Sequence, residues 1–314
     1  MKTVFSKYDP RAVGSLFHAR VNDAEMEGAA LKLPDYDKDK LKVMLLLVDP
    51  QIDFIHENRP LSVKGAVSDT ARVIEWIYRN IERLSYIAAS MDTHLPHQIF
   101  LPPFWRYANG QPVKPFDDIV PGDWKKRVWP VYDFNYEYED KKFMPWTKYY
   151  LDRLNKTDKK ALKIWPFHCM LGSAGHSVDP ALMEAIMYHS GARSTQPNFL
   201  IKGNVPWTEN YSIVEPEVLF PSHQNGGVNV PFLQMLETHD RIYIAEQAKD
   251  YCVYETVLSI VRYFSVNAPQ VLSRIRVLED CTSPVGDPTA VNKMYDKLVA
   301  DYGLKMVKST DPIL

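Results

Sequence analysis

Residues 42–49 read KVMLLLVD, six apolar residues in a row closed by a carboxylate. The run is strand length, and its unbroken apolar character suits a strand covered on both faces, as in a parallel sheet. Outward from it, Val67, Val73, Ile74, Ile77 and Ile81 recur at near-helical spacing between about residues 66 and 83. LSYIAASMD (84–92) follows as a second buried strand, which makes a βαβ unit. The alternation resumes after residue 165. DPALMEAIMYH (179–189) opens with Asp then Pro, a cap and first-turn pair for a helix. NFLIKG, DRIYIAEQ and RIRVLED read as strands, DYCVYETVLSIVRYF (250–264) as an apolar helix capped by Asp250, and 288–302 as a closing helix. Five strands alternating with four helices predict an α/β fold: an open, mostly parallel sheet with helices on both faces, in three Rossmann-like layers.

The pattern breaks between Gln98 and Leu162, where about 65 residues are crowded with Phe, Trp, Tyr and Pro. That aromatic content argues against a disordered linker and for an irregular lid or interface folded over the core. Residues 1–40 are polar and mixed, and read as an N-terminal arm preceding a single domain over 41–314 with its insertion at about 98–162.

Charge and composition narrow the function. Lys and Arg number 37 against 39 Asp and Glu, a net charge of −2, which lacks the basic surplus that nucleic-acid binding needs. No apolar run approaches the roughly 18 residues of a membrane span, and the N-terminus lacks a secretory apolar core. Cys169, Cys252 and Cys281 are an odd, scattered set, expected in a reduced, cytoplasmic protein rather than a disulfide framework.

Ligands of open α/β sheets bind beyond the carboxyl ends of the strands. Asp49, Asp92 with His94, Lys202 and Cys252 all fall at such ends. An Asp closing a strand is more often a turn residue, and a free Cys more often a small core hydrophobe. Their convergence on one rim turns the reading toward chemistry, with Cys252 near a helix N-terminus that would favour its thiolate. Cys169 and Cys281 keep the core reading. Asp92, His94 and His168 have metal-ligand character, suited to Zn²⁺, with Fe²⁺ or Mn²⁺ as alternatives. His168 in WPFHC could equally be a hydrogen-bonded core histidine, and His97 is a candidate fourth ligand.

At these residues the sequence resembles the isochorismatase-like cysteine hydrolases, most closely their nicotinamidase branch. The matching pieces are VDPQIDF (48–54), MDTH (91–94), WPFHCMLGSAG (165–175), IKG (201–203), YS (211–212) and QAKDYCV (247–253), in the family's order. The resemblance implies a catalytic triad of Asp49, Lys202 and Cys252, and one divalent metal held by Asp92, His94 and His168. It also implies an aromatic substrate pocket at Phe54, Trp165 and Tyr211, and a cis peptide just before Ala248. That bond would turn the backbone N–H groups of Ala248 and Cys252 toward an oxyanion. The sequence departs from the family in its three-residue step from His94 to His97, in Glu246 and Gln247 before the cis bond, and in NVPWTEN (204–210).

The expected activity is metal-dependent conversion of nicotinamide to nicotinic acid and ammonia through a thioester, feeding NAD salvage. The alternatives are a cysteine hydrolase of another small amide, carbamoyl or ureido, and a non-catalytic assembly module. The expected partners are a small-molecule amide and further copies of the chain in a homo-oligomer, with neither nucleic acid nor membrane.

Overall fold

A computed structural model describes residues 3–138, 142–157 and 159–313. Its centre is a six-stranded sheet. The strands are β1 (Val43–Val48), β2 (Tyr86–Asp92), β3 (Asn198–Lys202), β4 (Arg241–Glu246), β5 (Ile275–Leu278) and β6 (Lys305–Val307). Their spatial order is β6-β5-β4-β1-β2-β3, and every neighbouring pair is parallel. The sheet thus has one strand more than the sequence predicts. Edge strand β6 is only three residues, KMV, with Lys305 exposed, so it offers no apolar run to read.

β1 explains the layering. All six of its side chains are inaccessible to solvent. Met44, Leu46 and Val48 face one core and Val43, Leu45 and Leu47 the other, because successive strand residues point to opposite faces. The second core is closed by α2 (Ala66–Arg79) and α4 (Pro180–Arg193); the first lies under α5 (Val230–Glu237), α6 (Tyr254–Asn267) and α7 (Pro288–Tyr302). Asp179 caps α4 as its sequence predicts, accepting from the N–H groups of Ala181 and Leu182 at 2.9 and 3.0 Å.

The aromatic stretch belongs to the first core. Phe100, Phe104, Trp105, Trp146 and Tyr150 are fully buried there, and α3 (Trp146–Lys156) packs with them. Phe134 stacks on Trp146 with rings 5° from parallel. Among the described residues no helix is long and apolar enough to cross a membrane.

Residues 3–40 lie against the domain through α1 (Val21–Ala29), which crosses α4 backbone to backbone. A Cβ on Gly28 would meet Tyr188 O at 2.1 Å, and one on Gly191 would meet Glu25 O at 2.1 Å. Arg20 completes the contact on the buried Glu184 carboxylate at 2.7 Å. Because neither backbone can yield locally, Gly28→Ala is expected to cost about 1–3 kcal/mol, the usual penalty for overpacking. Urea unfolding checks this, and an unchanged midpoint would mean that the arm is not docked in solution.

Candidate active site

β1, β2, β3 and the turn after β4 deliver Asp49, Asp92, Lys202 and Cys252 to the carboxyl end of the sheet, because parallel neighbours end on the same side. Asp49 leaves β1 with φ 48°, a left-handed conformation that a bulkier residue would resist. The Ser90 hydroxyl fixes it, donating to Asp49 Oδ1 at 2.6 Å and accepting from its backbone N–H at 3.0 Å.

Lys202 is the hub. Its ammonium lies 2.9 Å from Asp49 Oδ2, 3.1 Å from Asp92 Oδ1 and 3.6 Å from Cys252 Sγ, and donates to Asn210 O at 2.9 Å. The two carboxylate oxygens make no aligned hydrogen bond, so charge attraction holds them. Burial opposes the lysine's charge, but Asp49 and Asp92 outweigh it and keep the group protonated far above its ordinary range. Burial raises Asp49 as well, with Lys202 pulling the other way, which makes its carboxylate a stronger base than an exposed one.

Cys252 corrects two expectations. It sits at the helix start, as expected, but in a wide π-helical turn, Lys249–Val253, that runs into α6, and burial rather than the helix end sets its acidity. Asp250 does not cap that helix; its carboxylate accepts from the N–H groups of Val285 and Gly286 at 2.9 and 2.8 Å. Burial pushes the Cys252 thiol well above its usual range despite Lys202, so the resting group is a thiol and needs a base. Asp49 is the carboxylate that faces it. Cys169 and Cys281 are buried core thiols, both pushed up by burial. The Gln247–Ala248 peptide is cis, and Glu246 before it is a buried acid that accepts from Thr70.

Beside the triad, Asp92, His94 and His168 present ligand atoms within 4.8 Å of one another. Each histidine commits Nδ1 to a carbonyl, His94 to Gly203 O at 3.1 Å and His168 to Pro166 O at 2.8 Å. A carbonyl only accepts, so both Nε2 atoms remain as acceptors. They lie 3.2 Å apart, with Asp92 Oδ2 2.8 Å from that of His94. Such a group fits one cation, and hydrogen bonds from Nδ1 to carbonyls are the usual way of aiming metal-binding imidazoles. Gly203, at φ 76°, leaves room for the group; a Cβ there would meet Asp92 Oδ1 at 2.4 Å. One equivalent of a divalent ion is expected to raise the Tm of metal-free protein, and His168→Ala to remove most of that gain. Equal gains in both proteins would dismiss the site.

His97 is exposed and rests edge-on against Tyr132, outside the metal-type group. Two residues absent from the sequence reading belong here. Gln51 clamps the end of β2, donating to Asp92 O at 2.8 Å and accepting from its N–H at 2.7 Å. Glu209 lines the cavity, its carboxyl pushed up to about 8 by burial and by the nearby Asp92 charge. The only sequence signal for either is position inside a motif-bearing segment.

Above these groups opens a cavity of about 470 Å³ with Phe54, Trp165, Tyr211 and Cys252 on its walls. Phe54 meets His168 edge-on, and the Trp165 indole donates to the Tyr211 hydroxyl at 3.1 Å. Phe116, from the aromatic insertion, stands edge-on to Trp165, and Tyr251 to Trp165 and Tyr211.

Neither a protein-family model nor a curated protein sequence matches the chain. Solved structures do. The yeast nicotinamidase is 19% identical over 84% of this chain and 99% of its own, with a TM-score of 0.55. An Acinetobacter baumanii nicotinamidase/pyrazinamidase is 17% identical over 87% and 99%, at 0.54, and an L. infantum protein in complex with nicotinate is 18% identical over 87% and 95%, at 0.51. The chain therefore has the fold of the nicotinamidases, the isochorismatase-like α/β architecture that its motifs imply.

Proposed function

We propose that the protein is a metal-dependent amidohydrolase that converts nicotinamide to nicotinic acid and ammonia through a thioester on Cys252. The observation that carries this is the meeting of Asp49, Lys202 and Cys252 beside a metal-type group at the floor of an aromatic cavity. Flat aromatic walls suit a pyridine ring. Nicotinate and the inhibitor nicotinaldehyde are ligands of solved proteins that share the fold.

In this scheme Asp49 takes the thiol proton of Cys252, and the sulfur attacks the amide carbon. Lys202 stays charged, balancing the thiolate and holding Asp49 in place. Backbone N–H groups of Ala248 and Cys252 face the developing oxyanion. The carbon–nitrogen bond breaks as Asp49 returns the proton to nitrogen, and ammonia leaves. A water then gives a proton to Asp49 while its oxygen attacks the thioester; the carbon–sulfur bond breaks, and the sulfur regains that proton. Asp92, His94 and His168 would hold the metal, and two imidazoles with a carboxylate suit Zn²⁺. When bound, the ion supplies coordination positions for a pyridine nitrogen and for water.

The same reading places the enzyme in NAD salvage and in a reducing, cytoplasmic setting, where its three free thiols persist. Ammonia release from nicotinamide, against a panel of carbamoyl and ureido compounds, tests it. Hydrolysis of nicotinamide is expected, and activity confined to another amide would replace the substrate.

A further inference from the structure

The cavity divides by charge and depth. Its floor is buried and acidic, with Asp92 and Glu209, while its rim, exposed or half-buried, is formed by residues 58–62, Phe116, Lys163 and Val285. Among the described residues no acid lines that rim, yet two cations do. Lys163 is neutralised by Asp118 at 2.6 Å. Arg59 is half-buried and, among the described residues, has no ion-pair partner.

The turn that carries Arg59 is braced. Its N–H donates to Ser62 Oγ at 2.7 Å, the Ser62 hydroxyl donates to His56 O at 2.6 Å, and the Val63 N–H donates to Phe54 O at 2.8 Å. An anion meeting this guanidinium therefore meets a backbone already ordered, which lowers the entropic cost of binding. The volume adds a second argument. A cavity of about 470 Å³ falls in the range that encloses drug-sized ligands. One ring with one amide group fills only part of that.

We propose that the preferred substrate is an aromatic primary carboxamide with an anionic group on the side of the ring away from the amide, and that Arg59 binds this anion. The inference rests on the amidase reading above and deepens it. Nicotinamide is then the unsubstituted parent of the preferred substrate. A guanidinium pairs with carboxylate or phosphate through the same two-pronged hydrogen bonds, so either anion meets the description.

The test compares the monoamide of the pyridine diacid whose two acid groups are both β to the ring nitrogen with the methyl ester of that monoamide. The pair differs by one charge and one methyl group, and neither places a carboxylate where it would chelate a metal with the ring nitrogen. The wild-type kcat/KM is expected to favour the acid by about tenfold, mostly through KM. Arg59→Gln is expected to bring the ratio near one, with Arg59→Lys between them. The diacid product is expected to bind Arg59→Gln about tenfold more weakly than wild type by calorimetry, with circular dichroism confirming the fold. A phosphorylated ring amide run alongside distinguishes the two anions. Equal turnover of acid and ester by wild type, or equal diacid affinity in wild type and Arg59→Gln, overturns the proposal. Failure to hydrolyse any pyridine amide overturns the amidase reading instead, and the diacid affinities still decide the role of Arg59.

Discussion

Cys252→Ala is expected to lower the rate of amide hydrolysis by about 10⁴-fold or more, the scale seen when a covalent nucleophile is removed. Cys252 is the one cysteine on the cavity wall, 3.6 Å from the Lys202 ammonium and facing Asp49. With its sulfur gone, no thioester can form, yet the aromatic walls and the metal-type group stay in place. Product affinity should therefore change little while kcat collapses. Cys281→Ala is the control, since Cys281 is buried beyond β5 in the second core and is not on the cavity wall. Ammonia release and isothermal titration with nicotinate, on the metal-loaded protein, make the measurement. Substantial turnover by Cys252→Ala would mean that a water attacks the amide directly.

Lys202→Met is expected to destabilise metal-free protein by about 3–5 kcal/mol and to abolish activity. Lys202 is the common partner of two buried carboxylates, Asp49 and Asp92, whose facing oxygens make no aligned hydrogen bond. A methionine fills the space but leaves Asp49 without a counter-charge and Asp92 with only the neighbouring histidines. Asp49→Asn should cost less, because the lysine keeps Asp92. The double variant Lys202→Met with Asp49→Asn should be less unstable than the sum of the two losses, since only one carboxylate is then left without its counter-charge. Urea unfolding of the four proteins completes the cycle. Strict additivity would show that Lys202 and Asp49 do not interact in solution.

These variants probe different consequences of the same contact. In the proposed scheme Cys252 serves bond breaking and little else, so its loss separates chemistry from folding. Lys202 serves both in that scheme, where its buried ammonium balances a thiolate while Asp49 and Asp92 neutralise it. A site built this way stores ionic interactions that the fold must hold in position, and its stability and activity are lost together.

Much of this was legible in the sequence. The run over 43–48 announced a strand with two covered faces, and both cores do meet on it. Strand ends marked Asp49, Asp92 and Lys202, because a parallel sheet brings all such ends to one rim. Reading failed where no local pattern exists. The three residues of β6 gain strand geometry only from pairing with β5. The docking of α1 depends on Gly28 and Gly191 meeting across 163 residues of chain.

The electrostatics of the site were least accessible to sequence. A helix N-terminus next to Cys252 suggested a lowered thiol pKa, but burial is the larger effect and reverses the direction. Arg59 carried no motif and Glu209 only a place in a motif-bearing segment, and their roles follow from which wall of the cavity they line. The sequence alone determined the sheet order's raw material and the chemical identity of the rim, because apolar periodicity and strand-end residues are local properties. Only the tertiary structure decided which groups are desolvated, which charges pair and how deep the cavity runs, because burial and distance are set by segments far apart in the chain.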